Sequence, residues 1–221
     1  MKQNLLPWQL LTLLALLAPT LYLLYAWPQL PAQIPTHFGL DGRANDYTGR
    51  GNIWLLTSAL PLGVAVLFTV LPRFDPKQRF SGEGLNFQKL RLLFVGLVSV
   101  LACYCLRMAL QPGTASGRGV DILVGLFLAF MGNYLTTVQP NYFIGIRTPW
   151  TLESPAVWAR THRVGGVLFC ISGLLLAGLA LVLPVAWVHV ALLVLVLGPA
   201  IFCYAYSYAV YRRLANATNA A

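Results

Sequence analysis

The chain has 221 residues, 58% of them hydrophobic and only 10% charged, with a net charge of +9. Soluble domains carry about 25% charged residues, so this chain has too little polar surface to stay in water as a globule of its size. A nucleic-acid footprint would need a soluble basic domain to display it, and the sequence contains none; no nucleic-acid partner is expected.

The apolar residues fall into six blocks, at 8–27, 53–71, 90–110, 120–138, 164–184 and 187–211. Each is long enough for the roughly 30 Å hydrocarbon core of a bilayer, which takes about 18 or more apolar residues as a helix. A helix satisfies its own backbone hydrogen bonds, and hydrocarbon offers no others. The predicted class is all-α: a polytopic membrane protein with six transmembrane helices. Three units follow: 1–75, a hairpin of two spans with a polar loop at its tip; 76–119, a linker and the third span; and 120–221, the remaining three spans. Lys2 precedes the Leu-rich first block, but that run exceeds the apolar core of about 7–15 residues of a cleaved signal. The PQLPAQIP that follows offers no small-x-small site, so the block is expected to remain as a helix. Arg107 sits near the end of the third block, and Gly198-Pro199 is expected to kink the sixth.

Orientation is read from loop cations. With six spans, one set of ends holds Lys2, Arg73, Lys77, Arg79, Lys89, Arg91, Arg147, Arg160, Arg163, Arg212 and Arg213; the other holds Arg43, Arg50, Arg107 and Arg118. The heavier side should be cytoplasmic, placing both termini inside. Cys103, Cys105, Cys170 and Cys203 all fall in spans without paired spacing in a polar loop, and are read as small buried hydrophobes.

Between the first two spans, on the outer side, IPTHFGLDGRANDYTGRGN places His37, Asp41, Arg43 and Asp46 in one turn-rich stretch. Gly39 and Gly42 flank Leu40-Asp41 and imply a tight reversal that would bring His37 near Asp41. An imidazole beside a carboxylate is an acid/base pair, a partial metal site or a pin for the loop. His189 lies near the outer end of the sixth span, where it could approach His37 and Asp41. The spacing fixes no distance, and no metal or cofactor is assigned. Arg107 and Asp121 flank the turn between spans three and four and are expected to pair with each other or to snorkel.

On the inner side, PNYFIGIRTPWTLESPAVWARTHRVGG packs polar and aromatic groups between apolar blocks. Gly145 gives the backbone freedom before Arg147, and Thr148-Pro149 reads as extended. Ser154-Pro155 reads as a helix start, with serine as N-cap and proline at the first turn. On that helix Trp158 and His162, four apart, share a face, and Gly165-Gly166 lets it bend into the fifth span or pack closely. Candidate inner-face binding residues are Asn141, Gly145, Arg147, Thr148, Trp150, Trp158, His162 and Arg163. Candidate outer-face residues are His37, Asp41, Asp46 and His189. The alternative for the inner segment is an interfacial helix anchored by tryptophans and basic residues.

The pattern Asn141-x3-Gly145-Ile146-Arg147-Thr148-Pro149-Trp150-Thr151-Leu152, followed by Trp158-x2-Thr161-His162-Arg163-x-Gly165-Gly166, resembles the signature of the SdpI family of bacterial membrane proteins. The outer Ile34-Pro35-x-His37-Phe38-x3-Gly42 resembles a domain of unknown function with a Pro-x-His-Phe core that often precedes it. The two resemblances cover roughly 12–75 and 120–212. They imply a protein of the bacterial cytoplasmic membrane that gives immunity to a membrane-active peptide toxin, with a possible signalling role through a cytosolic regulatory protein. The expected partners are the lipid bilayer, a peptide toxin and that regulator; no catalytic residues carry over. The competing readings are a membrane enzyme using His37 with Asp41 or His162 with Arg147, and a small transporter. The transporter ranks last, because few polar groups such as Asn133 lie inside the spans.

Overall fold

A computed structural model describes residues 4–39, 44–74, 84–111, 117–141 and 143–219. Six helical segments in it are long and apolar enough to cross a membrane: Leu6–Gln29, Arg50–Phe74, Leu85–Leu110, Arg118–Leu135, Pro155–Val182 and Val185–Ala217. Within them the α-helices are α1 (Leu6–Ala26), α2 (Leu60–Val70), α3 (Leu85–Leu110), α4 (Arg118–Leu135), α6 (Pro155–Val182) and α7 (Val185–Asn219), with the short α5 (Pro149–Glu153) between α4 and α6. The six apolar blocks thus each become one span. Asp41 and Arg43, Lys77 and Arg79, and most of the turn between α3 and α4 lie outside the described residues.

The chain is mostly helical but not all-α. Gln33–Phe38 (β1) and Ala44–Gly49 (β2) pair as an antiparallel hairpin, with Ile34 opposite Thr48, Pro35 opposite Tyr47 and His37 opposite Asp46. The cause is legible afterwards: β-formers Ile34, Thr36, Tyr47 and Thr48 bracket an Asp-Gly pair, a strong hairpin signal. Pro35 is tolerated because a two-stranded sheet has only edge strands. Ile34 is fully buried and seats the hairpin on Leu23, Ala26, Ile53, Leu106 and Ala109. Arg50 lies over Trp27 at 5.1 Å, and Trp27 packs on Trp54 at 5.8 Å, closing the base of the hairpin.

Local helix irregularity follows proline. Before Pro61 the turn Leu55–Ala59 widens, with Leu60 N–H reaching Leu55 O, five residues back. The extra residue relieves the clash between a proline ring and the carbonyl four behind it. The helix α7 runs on through Gly198-Pro199. The helix that starts at Pro155 continues without a break through Gly165-Gly166 into the fifth span; the glycines serve close packing instead of a bend.

That packing defines the α4–α6 seam. A Cβ on Gly125 would lie 2.7 Å from Ala177 N, and one on Gly173 would collide with Ala129 N and Gly125 O. Gly132 and Gly166 meet in the same way one to two turns further on. Without a hydrophobic force between helices in lipid, such small-residue contact lets backbones approach and gain dispersion energy. Gly173→Ala is expected to push the helices apart at a cost of about 1–3 kcal/mol. Thermal unfolding of the solubilised protein reads this as a lower Tm; an unchanged Tm would contradict the seam.

One end of the bundle carries the hairpin and the start of α7. There Asp121, 4% exposed, pairs with His189 at 3.3 Å, while Arg118 donates to Leu181 O (2.9 Å) and Leu183 O (3.2 Å). The ion-pair partner of Asp121 is therefore His189 rather than Arg107, whose side chain is exposed. The other end carries the loop between α4 and α6.

Candidate functional site

The loop after α4 is built around Asn141. Its amide donates to Gln139 O (2.9 Å) and Ile144 O (3.0 Å), and its Oδ1 accepts from the N–H groups of Phe143 and Ile144 (both 2.8 Å). A side chain that meets both carbonyls and amides of its own loop fixes that loop's shape. Asn141 is itself nearly buried, so these bonds also meet the demand that buried polar groups be paired.

Gly145 follows with φ +122°, and a Cβ there would collide with His162 Nε2 and lie 3.1 Å from the Trp158 ring. Only glycine fits both the torsion and the space. The backbone turn it permits brings Ile146 N–H to His162 Nε2 at 3.0 Å, while His162 Nδ1 lies 2.9 Å from Trp158 O. Because Nε2 accepts, the proton resides on Nδ1 and is donated to Trp158 O. The imidazole stacks on Trp158 with centroids 3.9 Å apart and planes at 17°, and the indole N–H donates to Val138 O at 2.8 Å. Trp158 and His162 are both 2% exposed. One helix face thus grips both ends of the loop.

Further along, Thr148 caps α5: its hydroxyl accepts from Thr151 N–H (3.2 Å), and Thr151 Oγ1 accepts from Thr148 N–H (2.9 Å). Thr151 Oγ1 in turn donates to Ile146 O at 2.8 Å. The Thr148 hydroxyl donates to Ser207 Oγ (3.0 Å), which donates to Tyr204 O (2.7 Å), tying the loop to α7. Trp150 packs on Tyr204 (5.2 Å) and Tyr208 (4.9 Å), and Tyr211 O–H donates to Glu153 (3.1 Å). Ser154 accepts from Val157 N–H as the cap of α6, as the Ser-Pro pair predicts.

Of the inner-face candidates, Asn141, Gly145, Thr148, Trp150, Trp158 and His162 all enter this fastening between α4, α6 and α7. Arg147 and Arg163 have exposed side chains on its rim. Beside the Trp158–His162 stack a half-open cleft of about 490 Å³ is lined in part by Thr136, Gln139, Pro140, Trp158, His162 and Arg163. Thr151 stands in the quoted pattern but outside the candidate binding residues, and Ser207 and Tyr204 are marked by neither. Thr148-x2-Thr151 just after an extended stretch is a capping pattern that marks Thr151; nothing local marks Ser207.

At the hairpin end, exposed His37 has its Nδ1 2.6 Å from Asn45 Oδ1, and Asp46 Oδ1 accepts from Tyr47 N–H at 2.8 Å. His189 takes Asp121 as its partner. The two histidines therefore have different neighbours, and Asp41 lies outside the described residues. Among the described residues no group of three His, Cys, Asp or Glu side chains is placed to hold a metal.

Six apolar spans with a buried, hydrogen-bonded loop at one end and a small hairpin at the other define a multi-pass helical membrane protein. Residues 137–207 match the SdpI/YfhL protein family, and residues 14–60 match a domain of unknown function (DUF1648). Both matches are narrower than the resemblances drawn from the motifs. The immunity protein SdpI of Bacillus subtilis (strain 168) is 30% identical over 95 residues, which is 43% of this chain and 45% of that protein. The chain thus spans a little under half the length of this curated relative. No solved structure matches the chain. The fastening from Val138 to Ser207 lies inside the SdpI/YfhL match, and Tyr208 and Tyr211 stand just beyond it.

Proposed function

We propose that the protein confers immunity on a bacterial cell by protecting its cytoplasmic membrane from a membrane-active peptide. The observation that carries this reading is the coincidence of the buried loop network with the SdpI/YfhL match, together with the relative's description as an immunity protein. The excess of Lys and Arg at the loop end supports a topology with both termini cytoplasmic. In that topology the hairpin with His37 and Asp46 meets an arriving peptide, and the exposed Arg147, Arg160 and Arg163 border a cytosolic surface for a regulatory partner. A chemical role for His162 is disfavoured, because both ring nitrogens are committed to holding the loop.

Deleting the gene and challenging cells with a panel of membrane-active peptides tests the function. Increased killing by at least one peptide is expected; unchanged sensitivity to all of them overturns the reading. Topology is tested with cysteines placed at Asn45 and at Arg160 in a background with the native cysteines replaced. An impermeant maleimide added to intact cells should label position 45 and not position 160. The reverse labelling would invert the proposed orientation.

A further inference from the structure

At the loop end, on a face of α4 beside the one that meets α6, a groove of about 370 Å³ opens between α1, α3 and α4. Its volume lies in the range of small-molecule sites. Leu92, Leu93 and Phe130 form apolar walls, and Phe130 is 61% exposed, so the groove opens sideways, where a bilayer's chains would lie. Its mouth is polar: Lys89 stands 5.4 Å from the Trp8 ring centroid, and Asn86 and Asn133 join the lining.

Two features define the occupant. Among the described residues Lys89 is the single charged residue in the lining, so their side chains give the groove one positive charge. Asn133, exposed two residues before the end of the span, makes no side-chain hydrogen bond among the described residues. An exposed amide at the edge of hydrocarbon is costly without a partner. We propose that this groove binds one anionic phospholipid, with its phosphate between Lys89 and the Asn86 and Asn133 amides and its first methylenes along Leu92, Leu93 and Phe130. The Trp8 indole, held beside Lys89, suits the headgroup zone where an aromatic ring meets both chains and water. This inference rests on the membrane-spanning fold and not on the immunity role.

The test is native mass spectrometry of the intact protein extracted from vesicles of equal parts phosphatidylglycerol and phosphatidylcholine. Wild type is expected to retain phosphatidylglycerol about fivefold over phosphatidylcholine, the preference one lysine near the surface provides. Lys89→Gln should erase that preference, and Asn133→Leu should lower phosphatidylglycerol retention roughly twofold or more through the lost hydrogen bond. Arg163→Gln, a cation at the same end but outside the groove, should leave it unchanged. Should Lys89→Gln fail to fold, Asn133→Leu decides alone. Equal retention of the two lipids by wild type, an undiminished preference in the groove variants, or a lipid-free second copy of the chain in the complex overturns the proposal.

Discussion

Gly145→Ala is expected to unfasten the loop and to lower stability by about 2–6 kcal/mol. Two costs add. A φ of +122° is a conformation that L side chains rarely adopt, and holding a non-glycine residue in such a region costs about 1–3 kcal/mol. The new methyl also collides with His162 Nε2, which cannot swing aside cheaply. Moving that ring breaks the bond from Ile146 N–H and the stack on Trp158, adding about 1–3 kcal/mol. The measurement is thermal unfolding in detergent alongside Trp fluorescence, since Trp158 reports the stack. A second background separates the two costs: with His162→Ala, where the bond and the stack are already gone and the collision is removed, adding Gly145→Ala should cost only the torsional penalty. A Gly145→Ala protein with wild-type Tm would refute the geometry given for the loop.

His189→Leu is expected to destabilise the opposite end by about 3 kcal/mol, the lower part of the range for breaking a buried ion pair. Asp121 is 4% exposed, and one of its carboxylate oxygens already has no hydrogen-bond partner. Removing the imidazole takes the hydrogen-bonding partner from the other oxygen and leaves the nearby Arg118 charge to offset only part of the carboxylate's burial. Asp121→Asn should cost less, because the amide carries no charge to strand. In the double variant Asp121→Asn/His189→Leu much of the loss should return. Equal losses in all three variants would mean that the pair acts by volume alone, against the electrostatic account.

The six spans were legible in the sequence because hydrocarbon leaves a long apolar block one option, a helix. The hairpin was missed although its signal was present: strands of six residues carry little periodicity, and the stretch around Asp41-Gly42 was read only as a tight reversal within a loop. At the inner loop, residue chemistry and spacing marked Asn141, Gly145, Thr148, Trp150, Trp158 and His162 as binding candidates, and the fold brings these six together as a fastening between helices. Arg147 and Arg163 were marked for a guanidinium's capacity to bind an anion, and only the fold places both side chains on the exposed rim. His189 was marked, but its pairing with Asp121 was not foreseen. Which helix stands beside the start of α7 depends on long-range packing, and no local pattern near residue 189 encodes Asp121. Ser207 escaped for the same reason, since its partner Thr148 is 59 residues away.

The fastened loop and the immunity role are joined in one measurement: survival of a toxin-sensitive bacterial host challenged with the peptide that kills the deletion strain. The host carries wild type, Gly145→Ala or Arg163→Gln at matched abundance in the membrane. Wild type and Arg163→Gln should protect, while Gly145→Ala should lose most of that protection. Protection by Gly145→Ala equal to that of wild type, or none from wild type itself, would contradict the account.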